Sequence, residues 1–222
     1  CRAAIFFELH SLTMSRYIML TVGLKPMAHL KKLTLLFSVL FTFNGLAMAE
    51  DDKYAPVRDK LETCYACHGP NGASTQAAFP ILAGQEFYYM YVQLKDMKKG
   101  LRDSAVMSPI AATLEKSEMK LMAEYFSKQT WPKTSYKVDA GQQAAGKLVA
   151  DAGQCVACHL GDLRGNSRVP RLANQHPDYL NTTMLDFKNG IRKNSPAVAT
   201  LLKTYSEQEL KDVAHYLSAF SE

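Results

Sequence analysis

An all-α fold made of two similar halves is predicted by three features of the sequence. Short motifs recur in the same order: CYACH at Cys64 as CVACH at Cys155, FPILAGQ at Phe79 as VPRLANQ at Val169, KKGLR at Lys98 as KNGIR at Lys188, and MSPIAATL at Met107 as NSPAVATL at Asn194. Repetition at a fixed spacing marks a duplicated structural unit. Apolar residues fall at helical spacing, with Leu210, Val213, Ala214 and Leu217 on one stripe at i, i+3, i+4 and i+7 and Met119, Met122, Ala123 and Phe126 in the matching places. No segment shows sustained strand alternation.

The chain has 222 residues, 47% apolar and 21% charged, an ordinary globular balance. The net charge of +5 comes mostly from the first 49 residues, which hold five basic residues (Arg2, Arg16, Lys25, Lys31, Lys32) and one acid (Glu8). Subtraction leaves 26 − 5 = 21 basic against 21 − 1 = 20 acidic residues from Glu50 onward. That balance excludes a nucleic-acid binder, which needs a concentrated basic excess.

From Met27, Lys31 and Lys32 precede an apolar run from Leu33 to Leu46 that ends in Ala47-Met48-Ala49. These are the three parts of a secretory signal peptide over 27–49, cleaved after Ala49. The run is shorter than the roughly 20 residues of a membrane span. Residues 1–26 begin with Cys and precede a complete leader, so they read as translated upstream sequence or a misplaced start, and Cys1 carries no functional weight. Residues 50–134 and 135–222 then form the two domains, joined through Thr130 to Tyr136, a stretch containing Pro132. Middle helices are expected over 86–99 and 177–189, with Pro177 in a first turn and Gly100 and Gly190 as C-terminal caps. Ser206 and Glu209 make a capping box for the last helix.

Cys64-x-x-Cys67-His68 and Cys155-x-x-Cys158-His159 match the c-type haem attachment signature. Residues three apart share a helix face, so both thiols reach the porphyrin edge while the adjacent imidazole turns under the iron. Four Cys and two His could also hold zinc, but a His beside each second Cys and a separation of 155 − 64 = 91 residues suit two independent haems. A thioredoxin-like pair needs a βαβ context. Two covalently bound c-type haems therefore use all four cysteines after the leader, and each porphyrin centres the core of a small domain. Aromatics such as Phe87, Tyr91, Phe126 and Phe187 read as packing around it. Met107 is the sixth ligand expected in the first half, since it lies in a loop closed by Ser108-Pro109, 39 residues after His68. Thioether ligation raises the potential and suits electron transfer.

With these motifs the chain resembles the dihaem cytochrome c4 family, tandem class I cytochrome c domains, over residues 50–222. The resemblance carries over to Cys64, Cys67, His68 and Met107, and to Cys155, Cys158 and His159. It also implies that the carbonyls of Pro80 and Pro170 accept hydrogen bonds from the two histidines. The second half departs from the pattern: Asn194 stands opposite Met107, and the loop before it is three residues shorter than its counterpart. Met184 matches Leu94 and reads as core. His176 and His215 read as surface or helix-end residues. The sixth position of the second haem is thus open, or filled by His176, His215, Met184 or a water bound to Asn194.

The expected function is a periplasmic electron carrier of a respiratory chain, with redox protein partners on both sides: a respiratory donor and a terminal oxidase or reductase. Peripheral membrane association is compatible with it. The alternative is a haem enzyme whose open second site binds a small substrate while the first haem relays electrons. A gas sensor is disfavoured because no output domain accompanies the haems. Arg164, Arg168 and Arg171 read as a solvated face, with a docking patch or propionate pairing as the functional alternatives.

Overall fold

Helical patterning becomes nine α-helices among the residues that the computed structural model describes, 52–220, with no strand beyond two isolated bridges. The leader read over 27–49 and the segment 1–26 with Cys1 lie outside the described residues. In the first half, a 3-10 turn Ala55–Val57 leads into α1 (Arg58–His68), followed by α2 (Phe87–Lys98), α3 (Met107–Ala112) and α4 (Lys116–Ser127). The second half contains α5 (Ala140–Ala152), α6 (Cys155–His159), α7 (Pro177–Lys188), α8 (Pro196–Leu202) and α9 (Glu207–Ser218).

The middle helices stop where the sequence says they should. Gly100 and Gly190 follow the C-caps Lys99 and Asn189 with φ of +70° and +71°, a left-handed turn that glycine adopts without strain. The Ser206–Glu209 capping box opens α9, and α4 opens on a box of the same kind from Glu115 and Glu118. The apolar stripes face inward. Met119, Met122, Ala123 and Phe126 of α4 join Val57, Leu61 and Met90, while Val213, Ala214 and Leu217 of α9 join Ala150, Leu163 and Leu180. Burying each large apolar side chain stabilises by about 1.5–3 kcal/mol.

The two halves begin differently. α1 runs unbroken into the first Cys motif, whereas Gly153 and Gln154, the latter left-handed at φ +50°, separate α5 from α6. α5 crosses α9 at Gly146, where an added Cβ would lie 2.2 Å from the Asp212 carbonyl oxygen and 2.6 Å from Tyr216 Cβ. Only a hydrogen fits there, and this lets the helices close over the core.

Met107 departs from its expected loop: it is the first residue of α3. The Met107 N–H donates to Ser104 Oγ at 3.1 Å and the Ser108 N–H to Ser104 O at 2.9 Å, which starts the turn. Pro109 continues it because a first-turn residue needs no intrahelical donor.

The halves meet through reciprocal polar contacts. Gln85 Nε2 donates to Arg171 O at 3.0 Å and its Oε1 accepts from Arg171 N at 2.8 Å. Gln175 repeats the pattern on Ile81, at 3.0 and 2.9 Å. Residues 130–139 carry no helix and run along the second half. The Arg171 guanidinium lies 4.4 Å from the Trp131 ring centre, Thr134 Oγ1 donates to Asn174 O at 3.3 Å, and the Tyr136 hydroxyl bonds to His176.

Candidate haem-attachment sites

Cys64, Cys67 and His68 occupy the last turn and a half of α1, and Cys155, Cys158 and His159 occupy α6. A helix sets Cys residues at i and i+3 on one face. None of the four cysteines is in a disulfide; Cys158 is exposed and the others half-buried. Burial pushes the Cys64 thiol up to about 11 and raises that of Cys155 as well.

His68 Nδ1 is 2.9 Å from Pro80 O, and His159 Nδ1 is 2.8 Å from Pro170 O. A carbonyl can only accept, so each Nδ1 carries the proton and each Nε2 keeps its lone pair, the tautomer a metal ligand requires. Burial lowers both imidazole pKa values, the carbonyl bond partly opposing it, so the rings are held neutral. Holding the ring in this way also makes the ligand more basic. The local reason is the loop after each motif, which turns back over the histidine. Gly72, left-handed at φ +79°, accepts from Leu82 and Ala83, and Leu163 at φ +55° accepts from Leu172 and Ala173.

The candidate sixth ligands separate. Met107 is half-buried on α3, an element packed against α2. Met184 packs, partly buried, against the second core. His176 is a helix-end residue as expected, the N-cap of α7, but it is not on the surface: it is 2% exposed. Its Nε2 lies 3.0 Å from Ser74 O, and Nδ1 bonds to the Tyr136 hydroxyl, so both nitrogens are already engaged. Asn194 is committed too. Its Oδ1 accepts from Arg192 Nε at 3.0 Å, and its Nδ2 donates to Gln93 Oε1 at 2.9 Å and Asp96 Oδ2 at 3.0 Å. The shortened loop thus turns Asn194 toward the other half instead of leaving it to hold a water. His215 is half-buried on α9.

The solvated face expected of Arg164, Arg168 and Arg171 holds only in part. Arg164 is exposed and pairs with Asp162, but Arg168 lies 5.0 Å from the Tyr88 ring centre and bonds its hydroxyl, and Arg171 packs on Trp131. Two of the three bind the first half or the connecting segment.

The donor set fits a covalently attached porphyrin. Each half offers two thiols and a neutral imidazole with one free ring nitrogen, and exposed apolar side chains flank the sites: Val156 and Leu160 beside the second motif and Val106 beside Met107. Buried Arg192 has a donor, Nη1, with no hydrogen-bond partner among the described residues, which suits an anionic acceptor from outside the chain. Sequence reading missed the side chains that cross between the halves: Gln85 and Gln175, Arg102 and Arg192, Tyr89 and Tyr179. Their signal was available, because each pair holds the same residue at equivalent places in the repeat although haem attachment does not require it.

The cytochrome c family model matches residues 143–221. A cytochrome c4 of Thiocapsa roseopersicina is 34% identical over 175 residues, covering 72% of this chain and 88% of that protein. The thiosulfate dehydrogenase electron acceptor of Stutzerimonas stutzeri strain A1501 is 31% identical over 167 residues, 70% of this chain and 77% of that one. Among solved structures, cytochrome c4 of Acidithiobacillus ferrooxidans superposes with a TM-score of 0.65 at 30% identity, over 72% of this chain and 99% of that chain.

Proposed function

Because this chain belongs to the dihaem cytochrome c4 family, we propose that it works in the periplasm as an electron carrier of a respiratory chain, between a respiratory donor and a terminal oxidase or reductase. It is a c-type cytochrome with covalently bound haems and two tandem cytochrome c domains. When bound, each haem iron supplies a one-electron Fe(II)/Fe(III) couple.

The chain's own residues do the rest. Cys64 and Cys67 hold the first haem and Cys155 and Cys158 the second, through thioethers that keep each cofactor in place during turnover. His68 and His159 would present Nε2 to the irons, and Met107 would be the further donor to the first. The observation that carries the reading is the pair of Nδ1–H···O=C bonds to Pro80 and Pro170, which orient both imidazoles in the ligating tautomer. Export rests on the leader at 27–49, and no helix among the described residues is long and apolar enough to cross a membrane. The Stutzerimonas relative is named an electron acceptor of thiosulfate dehydrogenase, and this makes a dehydrogenase one class of donor.

A second reading, a haem enzyme with an open second site, draws support from Asn194, which stands in the place of Met107 and is tied to Arg192, Gln93 and Asp96. Purified mature protein tests both readings. Mass spectrometry should find the chain plus two covalent haems, and reduced protein should pass electrons to an oxidised acceptor cytochrome without consuming another substrate. One haem, or haem extractable by acid acetone, would overturn the assignment; turnover of a small substrate at the second haem would favour the enzyme.

A further inference from the structure

Each histidine proposed as an iron ligand is joined to the opposite half through a single peptide group. His68 Nδ1–H donates to Pro80 O at 2.9 Å, and the N–H of that same peptide, on Ile81, donates to Gln175 Oε1 at 2.9 Å. The mirror arrangement runs from His159 to Pro170 O at 2.8 Å, and from Arg171 N–H to Gln85 Oε1 at 2.8 Å.

A peptide group is planar and conjugated, so its two ends share electron density. An acceptor on the N–H drives density onto the carbonyl oxygen, and hydrogen bonds in such a chain strengthen one another by about 10–30% each. The more negative oxygen draws harder on the imidazole proton. The ring then becomes a stronger electron donor, and this favours ferric over ferrous iron.

Both glutamines are held for this task. Gln85 is 5% and Gln175 2% exposed. Each Oε1 also accepts from the next backbone N–H, of Glu86 at 2.9 Å and His176 at 3.0 Å, while each Nε2 is bound to a carbonyl of the other half. Two N–H donors converge on each oxygen, so neither amide can turn over without leaving a buried donor unpaired.

We propose that Gln175 and Gln85 are positioning residues, each lowering the reduction potential of the haem in the opposite half through the Pro80–Ile81 and Pro170–Arg171 peptide groups. This rests on the assignment of His68 and His159 as iron ligands. A residue in one domain then sets the potential in the other, and the domain contact becomes part of the electron carrier's tuning.

The test uses holoprotein carrying Gln175→Met or Gln85→Met, which keep side-chain length and remove the acceptor. Two midpoints are read by spectroelectrochemical titration, and the one displaced by Met107→Ala identifies the first haem. Gln175→Met should raise the first midpoint and leave the second, and Gln85→Met should do the reverse. Each shift should correspond to roughly a twofold to tenfold change in the ferrous/ferric ratio, at most about 59 mV. Amide exchange should quicken at Ile81 in the first variant and at Arg171 in the second. Gln175→Glu, which retains an oxygen for the Ile81 N–H, should not raise the first midpoint. The proposal is overturned if both midpoints move together, if a variant moves only the haem of its own half, or if exchange quickens with no change in potential. The ligand assignment fails separately: His68→Ala should cost the low-spin haem and His159→Ala should change the spectrum of the other, and unaltered spectra there would place the ligands elsewhere.

Discussion

Arg102 and Arg192, equivalent residues of the two halves, pair with each other as an isolated antiparallel bridge, and each reaches the tyrosine supplied by the other half. Arg102 Nη2 donates to Tyr179 Oη and Arg192 Nη2 to Tyr89 Oη, both at 3.2 Å. Burial opposes ionisation of the Tyr179 hydroxyl, yet Arg102 and then Arg192 outweigh it and lower its pKa. Arg192 also lies 4.3 Å from the Phe187 ring centre and donates to Gln93 and Asn194. Arg192→Ala removes all of these at once and leaves the partly buried Asn194 Oδ1 without this donor, although Gln93 Oε1 still accepts from Arg102 and Asn194, so a loss of about 3 kcal/mol is expected in denaturant unfolding of the holoprotein. A loss near zero would mean that the contact is dispensable.

Met107→Ala should abolish the weak long-wavelength charge-transfer band of ferric His/Met haem and lower one of the two midpoints, because a thioether favours ferrous iron. The other midpoint should stay where it was. An unchanged band would place the ligand on another residue.

The two haems should be unlike. With His176 engaged at both nitrogens and Asn194 turned to the first half, carbon monoxide should bind about one of the two ferrous haems. Asn194→Met should restore methionine ligation only in part, since the loop remains short. Two indistinguishable His/Met spectra would show that Met184 leaves its place against the second core.

Acid should loosen the contact around His176. Burial holds its pKa below the ordinary value of 6.5, against the opposing effects of the Ser74 carbonyl and Asp178. The neutral ring donates from Nε2 and accepts the Tyr136 hydroxyl at Nδ1, and protonation destroys that acceptor. The unfolded chain takes the proton first, so this stability is complete above about pH 6.5 and is lost as the pH falls through the lower folded value. Thermal melts of the holoprotein should fall between about pH 7.5 and about pH 5, and Tyr136→Phe should cost about 1 kcal/mol at the upper end and less at the lower. An equal cost at both would deny the linkage.

Gly146→Ala should destabilise by about 1–3 kcal/mol, since its Cβ would meet backbone of α9 that cannot withdraw. Gly161→Ala, where an added Cβ meets nothing within 4 Å, is the control and should change stability little. Chemical denaturation of both variants checks the pair.

Helix positions, the stripes of α4 and α9 and both attachment motifs were legible because they depend on spacing along the chain. The residues that join the halves were not. Gln85 and Gln175 act across 86 and 94 residues of sequence, and a side chain that bonds backbone at such a distance leaves no period to read. Only their recurrence at equivalent places in both halves marks them. Met107 reads from sequence as part of a loop closed by Ser108-Pro109, yet proline is well tolerated in a first turn and the helix begins there. The burial of His176 escaped for a related reason: it depends on Ser74 and Tyr136, which lie in segments without periodic pattern.

The segment 130–139 has a thermodynamic consequence beyond connection. Two separate proteins meeting through a few amide and guanidinium contacts would lose several kcal/mol of translational and rotational freedom on association. Here that loss is met by covalent connectivity, and the Trp131, Thr134 and Tyr136 contacts shorten the reach of the tether further. The local concentration of one half about the other is then on the order of millimolar or above. The polar, self-complementary contacts that would be transient between free molecules can therefore stay closed.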